Sequence, residues 1–137
     1  MTDQTPIDTM MRGVIPYIMV EGASDASTFY QRAFGAQELM RTASDDASRL
    51  IHCRLVINGG ILMMSDCFPE QGFAHEPSSS FTMQLIVDDI DAWWKRAVEA
   101  GAEVVMPVQK MFWGDRYGQL RDPFKINWAM NEPAAAA

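Results

Sequence analysis

The dipeptide Gly35-Ala36 returns 66 residues later as Gly101-Ala102, and each copy closes a stretch with the same apolar spacing. Before the first stand Ala26, Phe29, Tyr30, Ala33 and Phe34; before the second, Ile90, Trp93, Trp94, Ala97 and Val98. Both sets follow i, i+3, i+4, i+7, i+8, the stripe that lays one face of a helix on a core. Helices are therefore expected over 24–34 and from 88 onward. Ser24 is the expected cap of the first, Asp88, Asp89 and Asp91 suit the positive end of the second, and both glycines suit a left-handed exit. A strand is expected before each helix, at 15–20 and 81–87, and another after it, at 37–40 and 103–106. Two more complete each half. Strands 50–57 and 61–65 flank Asn58-Gly59-Gly60, which tolerates the positive φ of a tight turn. Strands near 118–121 and over 126–130 are joined through Asp122-Pro123-Phe124. The pattern is an α+β fold of two βαβββ modules, about 13–70 and 80–130, in one domain over 13–130. Each sheet should carry a helix on one face and a cleft on the other. Residues 1–12 are expected to be a flexible arm and 131–137 a flexible tail.

A length of 137 residues suffices for a core without staples, and 48% hydrophobic with 21% charged residues is ordinary for a globular chain. The net charge of −7 disfavours nucleic acid, whose phosphates need clustered Lys and Arg, and favours cationic ligands. No apolar run approaches the ~20 residues of a membrane span, and the N-terminus lacks a basic-then-apolar leader, so a cytoplasmic location is expected. Cys53 and Cys67 fall on neighbouring strands with opposed side chains, which argues against a disulfide, and no Cys/His spacing suggests zinc.

Strand parity separates core from cleft. Over 50–57, Ile51, Cys53, Leu55 and Ile57 form the apolar side and leave His52 and Arg54 to the cleft. Over 81–87, Phe81, Met83, Leu85 and Val87 are core, whereas Thr82, Gln84 and Ile86 face away. In the last strand Ile126, Trp128 and Met130 alternate with Asn127 and Ala129. An imidazole in a cleft is a candidate general base, although a hydrogen-bonded sheet histidine is the commoner use of such a residue. Asp66 is a candidate to orient His52 or meet a cation, or else a turn former. In Trp113-Gly114-Asp115-Arg116-Tyr117 two aromatic rings and a charged pair suit ligand contact; equally, Asp115 and Arg116 can pair with each other or with a second subunit. Trp93 and Trp94 belong to the helical stripe and so to packing. His75, in the linker, is expected to be solvated. Met63, Met64 and Met83 offer adaptable apolar surface.

The run Met106-Pro107 to Gly118, then Leu120-Arg121-Asp122-Pro123-Phe124 and Trp128, resembles the PhnB-like branch of the glyoxalase/bleomycin resistance protein/dioxygenase superfamily, the vicinal oxygen chelate proteins. Phe29-Tyr30, Gly35-Ala36, Leu62-Met63-Met64-Ser65-Asp66 and Val87-Asp88-Asp89-Ile90-Asp91-Ala92 extend the resemblance over about 13–130. It implies paired βαβββ modules, usually in a homodimer. In metal-dependent members His and Glu from four strands hold a divalent cation; here the matching positions are about Ile15, Met63 or Met64, Thr82 and Ala129, none a good ligand. Where relatives tend to read Asp-Pro-Phe-Gly-His, this chain has Lys125-Ile126. No glycine-rich loop is present for a methyl donor either. The expectation is a binding protein with no metal or other cofactor, holding a small aromatic or cationic compound such as an antibiotic through His52, Arg54, Asp66, Gln84, Trp113, Asp115, Arg116 and Tyr117. The alternatives are a glyoxalase-, isomerase- or dioxygenase-type enzyme with an atypical site, His52 being the weak catalytic candidate, or an interaction scaffold.

Overall fold

The computed structural model describes residues 10–135. They form two compact units, divided between His75 and Glu76, with Arg32–Phe34 counted in the second. The first nine residues of the expected arm and the last two of the expected tail lie outside the described residues.

The first unit holds β1 (Tyr17–Val20), α1 (Ala23–Phe34, except its last turn), β2 (Gln37–Ala43), β3 (Leu50–Ile57) and β4 (Gly60–Asp66), with sheet order β1-β4-β3-β2. The second holds β5 (Met83–Ile86), α2 (Ile90–Ala100), β6 (Glu103–Lys110), β7 (Arg116–Arg121) and β8 (Asn127–Glu132), in the order β5-β8-β7-β6. In each, the first strand runs parallel to the last and the helix makes the crossover; the other pairings are antiparallel. Asn58 and Gly59 take φ of 50° and 81° in the two-residue turn between β3 and β4.

Several boundaries differ from the sequence expectation. Strands β2 and β6 run on to Ala43 and Lys110 because, at sheet edges, bulges and a proline are tolerated. Asn131 and Glu132, expected in the tail, continue β8, and Asn131 is buried. Ser24 is not the cap of α1. That helix starts from Gly22 in a left-handed conformation with no capping side chain of its own. Asp66 at the end of β4 serves instead: Gly22 N–H and Ala23 N–H donate to its Oδ1 at 2.8 and 2.9 Å, and Leu50 N–H to its Oδ2 at 2.7 Å. A tertiary carboxylate thus satisfies donors that a helix leaves open. The second unit repeats the device, since Ile90 N–H donates to Glu132 Oε1 at 3.0 Å while Asp89 accepts from Ala92 N–H.

Parity holds except at one bulge. His52 pairs with Thr42 but Leu50 with Ala43, so Ile51 is an extra residue; it turns out of the core and is 50% exposed. Phe81, also expected inside, lies before β5 and is largely exposed. In the first unit Ile18, Val20, Cys53, Leu55 and Met64 are buried on the side of Ala26 and Tyr30. In the second, Gly118 lets α2 sit close to the sheet: a Cβ there would meet the Trp94 ring at 2.6 Å. Asp122 holds the β7–β8 turn, accepting from Phe124 N–H, Ile126 N–H and the Trp128 indole.

Candidate functional site

The sheet faces turned away from the helices carry the polar side chains, and the ladders align them. In the first unit Tyr17, Met63 and Arg54 form one cross-strand row, extended by Met40 on β2. In the second, Gln84, Ala129 and Gln119 form the matching row. By the same register His52 corresponds to Tyr117 and Cys53 to Gly118.

The expected ligand residues are divided between the units. His52, Arg54 and Asp66 are in the first; Gln84, Trp113, Asp115, Arg116 and Tyr117 are in the second. Several are occupied by the protein itself. Asp66 spends both oxygens on the three backbone donors described above. Arg116 forks onto Asp91 of α2 at 2.9 and 3.0 Å rather than meeting Asp115. Asp115 accepts from Asn131 Nδ2 at 2.9 Å and Ala134 N–H at 2.8 Å, and these bonds hold its carboxyl below the usual carboxylate range. Tyr117 accepts from Gln119 at 3.1 Å, Trp113 stands edge-on to it, and Gln84 is exposed on β5. His52 Nδ1 is 3.0 Å from the Tyr17 hydroxyl, which crosses β4 to reach it. Arg54 Nε is buried without a hydrogen-bond partner among the described residues. His75, expected to be solvated, instead places Nδ1 3.3 Å from Glu21 Oε1 with its side chain mostly covered.

A cavity of about 720 Å³ lies in the first unit. Its floor is Tyr17 and Met19 of β1, Ser65 of β4 and the bulged Ile51; its walls are the 44–49 loop and the 68–73 loop. Arg49 ties those walls together. Its guanidinium donates to Cys67 O at 3.1 Å, forks onto Glu70 and lies 4.2 Å over the Phe68 ring. Asp46 braces the 44–49 loop by accepting from Ser44, Ser48 Oγ and Ser48 N–H; the Ser48 hydroxyl is the main cause of a carboxyl pKa lowered to about 2. Asp45, also in the lining, has no hydrogen-bond or ion-pair partner among the described residues. Of the expected set only Asp66 touches this cavity. Parity missed Ile51 because a bulge is a pairing event between strands, and the loop residues carry no periodicity to read.

Among the described residues the outward faces offer one imidazole, His52, with thioether, amide, hydroxyl and guanidinium groups around it, and Met63 and Ala129 stand where the resemblance would require donors. Among the described residues no three His, Cys, Asp or Glu side chains are grouped to hold an ion. At the β7–β8 turn, where the chain departs from the expected Gly-His, Lys125 takes φ of 70°, a value that suits glycine, and Ile126 is buried. Both cysteines are free and buried, the Cys53 thiol being pushed up to about 11 chiefly by burial.

The model of the Glyoxalase/Bleomycin resistance protein/Dioxygenase superfamily matches residues 8–130. The chain belongs to this superfamily. The uncharacterized protein Mb0911c of Mycobacterium bovis is 40% identical over 124 residues, spanning 86% of this chain and 81% of its own. Protein PA1353 from Pseudomonas aeruginosa superposes with a TM-score of 0.73 at 25% identity, covering 90% of this chain and 99% of that one. The PhnB protein from Bacillus cereus gives 0.67 at 17% identity over 89% and 100%, a likeness of fold. The glyoxalase/bleomycin resistance fold is thus the fold of this chain. No helix among the described residues is long and apolar enough to cross a membrane.

Proposed function

We propose that this superfamily member is a metal-independent binding protein for a small aromatic, cationic compound, held in the cavity of the first unit. The observation that carries the reading is the lining itself: Tyr17, Phe68, Phe73, Met19 and Ile51 supply rings and apolar surface, and the charges left over are acidic. Arg49 is neutralised by Glu70, whereas Asp45 has no partner among the described residues and Asp46 stays ionised. A cation over aromatic rings gains from ring quadrupoles and from the carboxylates together. An antibiotic is one such compound, and sequestration needs no turnover. Placement in the PhnB-like branch, assembly as a homodimer and a cytoplasmic location are proposed with it, on the motifs of 106–128 and the resemblance they carry.

The test is a thermal-shift and calorimetric titration with a phenanthridinium dye and its neutral phenanthridine analogue. The cation should bind with the higher affinity, and Asp45→Asn should weaken it about fivefold, as expected for a partly solvated charge pair of about 1 kcal/mol. Equal affinities for both probes, or none, would overturn the reading.

A further inference from the structure

The second unit has a cavity of its own, about 380 Å³, within the range of about 300–1,000 Å³ usual for small-molecule sites. Its lining includes Thr82 ahead of β5, Glu103 of β6, Gln119 and Arg121 of β7 and Asn127 of β8. Three of these make one cross-strand row, because Glu103 pairs with Arg121 and Arg121 with Asn127. Directly opposed residues point to the same face with Cβ atoms about 5 Å apart, so a Glu103–Arg121 ion pair is within reach. It does not form. Arg41, Arg49 and Arg116 each meet another carboxylate, whereas neither Arg121 nor Glu103 has an ion-pair partner among the described residues.

Arg121 Nη1 donates to Asn127 Oδ1 at 3.3 Å, which leaves Nε and Nη2 without acceptors among the described residues. These nitrogens are not sealed inside the fold, since Arg54 Nε is the one buried side-chain nitrogen or oxygen without a partner among the described residues. With its oxygen turned to Arg121, Asn127 offers Nδ2 as a further donor. Acceptors stand in the same lining: the Glu103 carboxylate, and Oε1 of Gln119, whose Nε2 donates to Tyr117. A guanidinium and a carboxylate that share a cavity without pairing complement a ligand that carries both charges.

We propose that this cavity binds a small zwitterion, an α-amino acid. Its carboxylate takes the Arg121 fork and Asn127 Nδ2, and its ammonium faces Glu103 and Gln119 Oε1. Val105, in the same lining and 54% exposed, offers apolar surface to a short side chain. No residue of the first unit takes part, so this site stands or falls apart from the cavity reading there.

Binding is measured by calorimetry and by the side-chain amide ¹⁵N–¹H signals of Asn127 and Gln119 in the full chain. The probes are L-valine, N-acetyl-L-valine, which lacks the ammonium, and L-valinamide, which lacks the carboxylate, at matched ionic strength. L-Valine should shift both signals saturably and bind about fivefold tighter than either derivative, as expected for one partly solvated charge pair. Arg121→Gln should weaken L-valine about tenfold, the scale of a charge-assisted hydrogen bond. Glu103→Gln changes an exposed side chain and leaves the fold intact; it should bring L-valine down to the affinity of N-acetyl-L-valine. Equal affinities for the three probes, amide signals that do not saturate, or a Glu103→Gln protein that still prefers L-valine over its acetyl derivative would overturn the proposal.

Discussion

His52 and Tyr117 hold the same register position in the two sheets, as do Arg54 and Gln119, Tyr17 and Gln84, and Cys53 and Gly118. The ladders around them match, strand for strand, and each helix takes a carboxylate from the end of its central strand. The chemistry does not match. On the outward face of the second unit Gln119 donates to Tyr117 and Arg121 to Asn127, beside a pocket of about 380 Å³. The first leaves an arginine nitrogen without a partner among the described residues and opens a cavity between two loops. A repeated backbone therefore does not imply a repeated site: the backbone follows from the periodic positions, and the site from the residues and loops that differ between the copies.

The widest gap between the copies should appear at the helix clamps. Asp66→Ala strands three backbone donors, and urea unfolding should show a loss of about 3–5 kcal/mol, with Glu132→Ala, which frees one donor, costing about 1 kcal/mol. Equal losses would show that the two clamps carry equal weight despite their different bonding. The matched pair Cys53 and Gly118 gives the next contrast. Gly118→Ala must displace the Trp94 ring and should cost about 1–3 kcal/mol, whereas Cys53→Ala adds no clash and should cost less. The smallest effect concerns the loops. Carboxyl titration by NMR should place Asp46 at about 2, below its ordinary 3.8. Its folded pKa is lowered, so its contribution to loop order is complete above about 3.8 and is lost as pH falls through about 2. The Asp115 carboxyl, braced by Asn131 and Ala134, should also titrate below the ordinary carboxylate range. A normal value for either would separate the two loops.

Much of the architecture was legible from the chain. Both helices, the order of eight strands and the Asn58-Gly59 turn followed from periodicity and local φ preference, and the motifs of 106–128 pointed to the superfamily. The site was read less completely. His52 and Arg54 were placed on the outward face by parity, and that is where they lie. Asp66 was legible as a polar residue at a strand end, but not as the cap of a helix more than 40 residues earlier in the chain. Arg116 and Asp115 are neighbours able to pair by sequence, yet Arg116 opens β7 while Asp115 lies in the turn before it, and each finds a partner elsewhere.

What the sequence determined by itself was everything that depends on residues close together in the chain: helical stripes, strand alternation, turn chemistry, and the duplication that repeats them. Only the tertiary structure decided which carboxylate caps which helix, that a bulge turns Ile51 outward into the cavity, and that Arg116 meets Asp91 while Arg54 Nε finds no acceptor among the described residues. These outcomes are set by register between strands and by loop closure, where partners far apart in sequence meet, and no local pattern carries that information.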